Sequence, residues 1–302
     1  MNRTILAKQT ASALLTMLLA MQPVHANDVD MPFGMRVNHL NLVFSASDAA
    51  ETEKFYGEII RLKQIPDIPL PGNRRMIRFK GGDTELKFIV SGLDLPKLAG
   101  GTRAARGIRL AAILLPDSEQ SGIEQRLKEN GHDVPAYTEG KSSAGYGYRY
   151  GMVYDHDGNQ IEIVFLDDSA PREKFQQVQI GLTVSDSESM SAFMSDILGL
   201  SEVAGQSNAR IRRYGVGVSQ IKFWEAENEI PAHVGGPSDL IGMSLVQFLV
   251  PDVDAVRNVV LERGGTIHTE PFALGKMATI MFVEGPDGIL FEFAGPMLDR
   301  LR

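Results

Sequence analysis

Several polar side chains in the first half of the chain sit where strand alternation turns them away from a core. In the stretch Val37 to Phe44, Leu40, Leu42 and Phe44 take every second place, so a strand here puts them on one face and His39 and Asn41 on the other. The same parity sets Leu86 and Phe88 against Glu85 and Lys87, and Ile161, Ile163 and Phe165 against Gln160 and Glu162. In Gly107 to Ala111 the polar member is Arg109. A strand that packs a helix on one side has no structural need for His, Lys, Arg and Glu on its other side unless that side meets water or a ligand. Histidine and glutamate can ligate a metal or carry a proton, and lysine and arginine can hold an anionic oxygen. Tyr146, Tyr148 and Tyr150 alternate in the same way, as aromatics packed on a strand face or as a ring-stacking wall for a ligand.

The elements that must position these residues are bounded by composition. The chain has 302 residues, 43% of them hydrophobic, and no cysteine. At roughly 100–200 residues per domain this predicts two domains. Without cysteine there is no thiol nucleophile, disulfide framework, iron–sulfur cluster or thiolate-bound zinc, so any metal must sit on His, Asp, Glu or backbone oxygen. Thirty Lys and Arg against 38 Asp and Glu, with no basic run beyond pairs such as Arg74-Arg75 and Arg212-Arg213, argue against a nucleic-acid partner. There is no phosphate-cradling loop and no Gly-x-Ser-x-Gly elbow, which disfavours nucleotide-dependent and serine-hydrolase chemistry.

The N-terminus reads as a leader. Arg3 and Lys8 precede an apolar run from Ala11 to Met21, followed by Val24-His25-Ala26 with small residues at the positions a signal peptidase reads. The run is too short to span a bilayer, which needs about 20 residues. Residues 1–26 are therefore expected to be a cleaved signal peptide, leaving a periplasmic or secreted protein with no stable membrane insertion. Its loss removes two bases and no acid, and takes the net charge from −8 to −10.

The mature chain repeats itself. Asp157-Gly158-Asn159-Gln160-Ile161-Glu162-Ile163 returns as Asp287-Gly288-Ile289-Leu290-Phe291-Glu292-Phe293, each an Asp-Gly turn feeding an alternating strand with one glutamate. Ser47-Asp48 leading to Phe55 matches Ser185-Asp186 leading to Phe193, each a cap that opens an amphipathic helix. Glu85-Leu86-Lys87-Phe88 matches Gln220-Ile221-Lys222-Phe223. Four units of strand, helix, then two or three strands follow, starting near Met35, Arg106, Gln177 and Leu240.

This pattern resembles the vicinal oxygen chelate superfamily of glyoxalase I, bleomycin-resistance proteins and type I extradiol dioxygenases, over nearly all of the mature chain. The resemblance implies an α+β fold of four βαβββ units, forming two glyoxalase-like domains with cup-shaped mixed sheets, at 35–168 and 176–297. With units paired in chain order, the simplest arrangement, the first cup is lined by His39, Asn41, Lys87, Arg109 and Glu162. The second presents Gln179, Thr183, Lys222, Trp224, Leu245, Gln247 and Glu292.

In the metal enzymes of that superfamily the ligands, usually His and Glu, come from the first and last strands of paired units. The resemblance implies His39 and Glu162 as ligands of a divalent metal (Zn, Fe, Mn or Ni), with the same two residues as catalytic acid and base. Asn41, Lys87, Arg109 and Tyr148 are then substrate-binding residues. Lysine at a ligand position has its own reading: the ammonium takes the cation's place and satisfies a carboxylate as a buried ion pair, Lys87 with Glu162 and Lys222 with Glu292. Two functions stand side by side. One is a lyase or isomerase acting on a vicinal-oxygen or carbonyl substrate, with extradiol dioxygenase chemistry less favoured. The other is a non-catalytic protein that sequesters a small molecule. Either works as a monomer or homodimer.

Overall fold

The structure is a computed structural model and describes residues 31–35, 40–72, 74–97, 100–175 and 177–296. The leader at 1–26 and His39 lie outside the described residues. Unit one runs through β1 (Leu40–Ala46), α1 (Ala49–Thr52) with its π-helical continuation Glu53–Ile59, β2 (Lys63–Leu70), β3 (Arg74–Gly81) and β4 (Thr84–Val90). Unit two comprises β5 (Gly107–Pro116), α2 (Gln120–Glu129), β6 (Thr138–Lys141), β7 (Gly147–Tyr154) and β8 (Gln160–Leu166). Unit three has β9 (Val178–Val184), α3 (Ser187–Ala192) continued by Phe193–Ile197, β10 (Arg212–Val216) and β11 (Ser219–Glu225). Its remaining strand shrinks to a single bridge, Glu202 to Tyr214. Unit four has β12 (Gly242–Leu249), α4 (Val253–Glu262), β13 (Thr266–Leu274), β14 (Ala278–Glu284) and β15 (Leu290–Gly295).

The helix starts fall at the Asp caps. Asp48 accepts Glu51 N–H at 3.0 Å, Asp186 accepts Glu188 and Ser189 N–H, and Asp252 accepts Ala255 N–H at 3.0 Å, each satisfying a donor that the first helical turn leaves without a partner. Among the described residues no helix is long and apolar enough to cross a membrane.

The described strands form two mixed sheets, in the orders β13-β14-β15-β12-β1-β4-β3-β2 and β10-β11-β9-β5-β8-β7-β6. This corrects the pairing in chain order. The first sheet joins units one and four through the antiparallel pair β1/β12, and the second joins units two and three through β5/β9. Sequence neighbours meet elsewhere, through helices and turns. Arg126 Nε donates to Ile59 O at 2.7 Å and Tyr56 Oη to Asp155 Oδ2 at 2.8 Å, linking units one and two, while Arg263 Nη1 donates to Ile197 O at 2.9 Å and links three and four. The Asp-Gly turns add further links between units. Asp157 accepts Ser47 N–H at 3.1 Å and pairs with Lys97 at 3.0 Å, and Asp287 accepts Ser185 N–H at 2.7 Å and pairs with Arg106 at 2.8 Å. The next residue of each turn, Gly158 and Gly288, sits at φ +77°, a left-handed conformation natural only to glycine.

One continuous apolar core lies on the helix side of both sheets. It holds Leu40, Leu42 and Phe44 from the first sheet, Ile161, Ile163 and Phe165 from the second, and Tyr56, Leu127, Met190 and Val256 from the helices. The alternation that sends these residues to the core turns their polar neighbours to the inner faces of the curled sheets, the two cups.

Candidate functional sites in the two cups

Strand register places equivalent residues of the two cups in equivalent rows. In the cup of units one and four, Glu85, Asn41, Gln247 and Glu292 stand side by side across β4, β1, β12 and β15. In the cup of units two and three the same places hold Gln220, Gln179, Ala112 and Glu162 across β11, β9, β5 and β8. One row along, Arg78, Lys87 and Val43 in the first cup correspond to Arg213, Lys222 and Gly181 in the second.

The polar end of the first cup is a closed network. Lys87 Nζ donates to Gln247 Oε1 at 2.6 Å, Asn41 Nδ2 donates to the same oxygen at 3.0 Å, and Gln247 Nε2 donates to Glu292 Oε1 at 2.9 Å. Asn41 Oδ1 accepts Glu85 N–H at 2.9 Å. Arg78 grips the Glu85 carboxylate with Nε at 3.1 Å and Nη2 at 2.9 Å, and Lys87 Nζ lies 3.6 Å from it. All four of Asn41, Lys87, Gln247 and Glu292 are buried. Burial lowers the Lys87 pKa, against the pull of Glu85 and Glu292. Burial likewise raises that of Glu292, against Gln247 and Lys87. Two cations face two carboxylates, and the remainder of this face is apolar, with Val43, Met76, Ile89, Leu245 and Leu290 packed together.

The second cup is wired differently. Lys222 Nζ donates directly to Glu162 Oε2, across strands whose side chains at this level are small, Gly181 and Ala112. Arg213, next to Lys222 on β10, donates Nη1 to the Gln206 carbonyl at 2.6 Å. Gln220 Nε2 donates to Gln206 Oε1 at 2.9 Å, and Gln220 Oε1 is buried with no hydrogen-bond partner. Burial lowers the Arg213 pKa, and the nearby Tyr148 and Glu162 oppose this, so the curl of the sheet brings β7 and β8 within electrostatic range of β10. The Tyr148 and Tyr150 rings stand 6.3 Å apart. Trp224 lies over the floor: a Cβ on Gly181 would come within 2.9 Å of its ring.

The residues singled out from the sequence are thus divided. Asn41 and Lys87 lie in the first cup, Glu162 and Tyr148 in the second, and the expected single cup uniting Lys87, Arg109 and Glu162 is not formed. Glu162 meets Lys222, and Lys87 reaches Glu292 through Gln247, so the lysine–carboxylate pairs exist with their partners exchanged between halves. Arg109 falls where the register of β5 against β9 slips between Ile108 and Leu110. This bulge gives Leu110 the place opposite Gly181, and Arg109 Nε donates instead to Gly101 O at 3.1 Å. Arg78 and Arg213 escaped the sequence reading, although the repeat marks both: each stands nine residues before the lysine of its unit, Lys87 or Lys222.

The donor chemistry around these carboxylates does not fit a divalent metal. An ammonium already faces Glu162, and the Glu85 and Glu292 carboxylates are bound by Arg78 and Gln247, with Lys87 between them. Among the described residues no three His, Asp or Glu side chains gather as a ligand set.

Residues 176–293 match the family model of the Glyoxalase/Bleomycin resistance protein/Dioxygenase superfamily. That match lies in the second half of the chain, and the solved structures below share the fold of the chain as a whole. A glutamate-to-glutamine mutant of glyoxalase I from Zea mays superposes with a TM-score of 0.63 at 18% identity, over 89% of this chain and 97% of that one. Maize glyoxalase I itself gives 0.62 at 19% identity, over 86% and 92%. A Bacillus subtilis protein assigned by name as a dioxygenase gives 0.62 at 14% identity, over 88% and 86%. No curated protein matches the chain by sequence.

Proposed function

We propose that the chain binds a small organic molecule in its cups without a metal, as a sequestering protein rather than a lyase or isomerase. The observation that carries this reading is the direct bond of Lys222 to Glu162. A carboxylate acting as metal ligand or proton-transfer base needs a free lone pair at the reacting centre, and the Glu162 side chain, 11% exposed, is held by a cation of the protein's own. In the first cup Glu85 is held likewise by Arg78, and Glu292 by the amide of Gln247. On this reading the binding takes place outside the cytoplasm, which the leader expected at residues 1–26 supports.

Protein purified from the periplasm tests the reading. Metal analysis is expected to find substoichiometric divalent metal, and a melting temperature unchanged by chelator. Stoichiometric metal that disappears in Glu162→Gln would overturn it. Mass spectrometry of the secreted chain checks the leader, with Asn27 expected as first residue.

A further inference from the structure

The two cups are an internal comparison, since the same fold places different residues at equivalent positions in one chain. In the first cup, Arg78 and Lys87 both pair with Glu85, Glu292 is reached through Gln247, and two positive side chains balance two negative ones. In the second, Arg213 and Lys222 occupy the places of Arg78 and Lys87, and Glu162 that of Glu292, but the place of Glu85 is taken by the neutral Gln220. Lys222 takes Glu162, and among the described residues no carboxylate comes within ion-pair distance of Arg213. The second cup therefore holds one positive charge in excess, half-buried beside Tyr148.

A second observation points to a ligand at the same spot. Gln220 is 6% exposed, and its Oε1 has no donor. An unsatisfied buried polar atom is costly enough that native proteins rarely keep one without a use. Its Nε2 is fixed by Gln206, the residue whose carbonyl also holds Arg213, so the orphan acceptor and the surplus cation are tied to one anchor. Aromatic rings share this inner face: register puts Tyr148 and Tyr150 of β7 on the side that carries Glu162 and Trp224 of β11 on the side that carries Lys222, with Tyr148 in electrostatic range of Arg213.

We propose that the cup of units two and three binds a hydroxylated aromatic carboxylate. The carboxylate pairs with Arg213, a hydroxyl donates to Gln220 Oε1, and the ring packs against Tyr148 and Tyr150. This rests on the metal-free reading above and adds the ligand's chemistry to it. The neutral first cup is not a site for an anion.

Calorimetric titration of the full mature chain with 4-hydroxybenzoate and 4-hydroxyphenylacetate tests this, with 4-hydroxybenzamide as the uncharged probe. At least one acid is expected to bind one per chain, more weakly as salt rises, and the amide about tenfold less tightly, the worth of one charge-assisted contact. Arg213→Gln should weaken the acid by a similar factor and Arg213→Lys by less. Arg257→Gln, the same change at an arginine of α4 that pairs with Glu270 outside both cups, should leave it unaltered. Equal binding of acid and amide, equal effects of the two Gln variants, or no binding of either acid would overturn the proposal. The metal-free reading stands or falls separately, on the metal analysis.

Discussion

Lys222 meets Glu162 directly above Ala112, whereas Lys87 is joined to Glu292 only through the side chain of Gln247. Ala112 and Gln247 occupy equivalent positions, one on β5 and one on β12, so the length of one side chain decides whether the ion pair is direct or bridged. Removing the bridge by Gln247→Ala strips a partner from Lys87, Asn41 and Glu292 at once. The expected loss is about 1–3 kcal/mol for each buried group left unsatisfied, with partial relief by water. Urea unfolding measures it, and an unchanged midpoint would show that the bridge is dispensable.

The direct pair gives a sharper signature. Glu162→Gln leaves the Lys222 ammonium, 10% exposed, without a counter-charge, and breaking such a pair costs roughly 3–5 kcal/mol. The double variant Glu162→Gln with Lys222→Met removes the uncompensated charge and is expected to recover most of that loss. A double-mutant cycle in denaturant separates the two effects.

Acid stability should depend on a turn rather than on either cup. Burial alone would raise the Asp157 pKa, but bonds from His156 and from the Ser47 hydroxyl and N–H outweigh it and hold the carboxyl below the usual range near about 4. A depressed folded pKa means that the unfolded chain binds the proton first. The contribution of Asp157 is then fully present above the ordinary carboxylate pKa and lost as pH falls through that range toward the folded value. Wild-type stability should drop below about pH 4 more steeply than that of Asp157→Asn. Parallel pH curves for the two proteins would contradict the assignment.

Gly181 keeps the floor of the second cup open to Trp224. A Cβ there would stand 2.7 Å from Leu110 Cβ and 2.9 Å from the indole. Gly181→Ala is expected to cost about 1–3 kcal/mol through overpacking and to shift the emission of the chain's single tryptophan. An unshifted spectrum in a folded variant would place the indole elsewhere.

Much of this architecture was legible because strand parity is a local property. Leu40, Leu42 and Phe44 name their face without reference to any partner, and so do Leu86 with Phe88 and Ile161 with Ile163, so the lining residues Asn41, Lys87 and Glu162 could be read from periodicity. What parity cannot supply is which strand lies alongside. Units of one design present edges of the same kind, so parity gives β1 the same reason to pair with β5 as with β12, and the choice rests on contacts between units that no single strand records. Arg109 was misplaced for the opposite reason: the bulge at Ile108 to Leu110 shifts parity by one, and nothing in Gly107-Ile108-Arg109-Leu110-Ala111 announces it. The charge surplus at Arg213 could have been read from the repeat, by setting Glu85 beside Gln220 and noting what each arginine would lose.

The nesting of unit pairs, two with three inside one with four, also sets an order of assembly. As the chain emerges N-terminus first, β5 finds β9 with only α2 and its own unit's strands between them, and the second cup can close while the chain is still growing. Asn41 must wait for Gln247, 206 residues behind it. Until the last unit arrives, β1 has an open edge and Lys87 lacks the amide that shields it. The neutral cup cannot close until the last unit is present, whereas the cup with the spare charge needs no strand beyond β11.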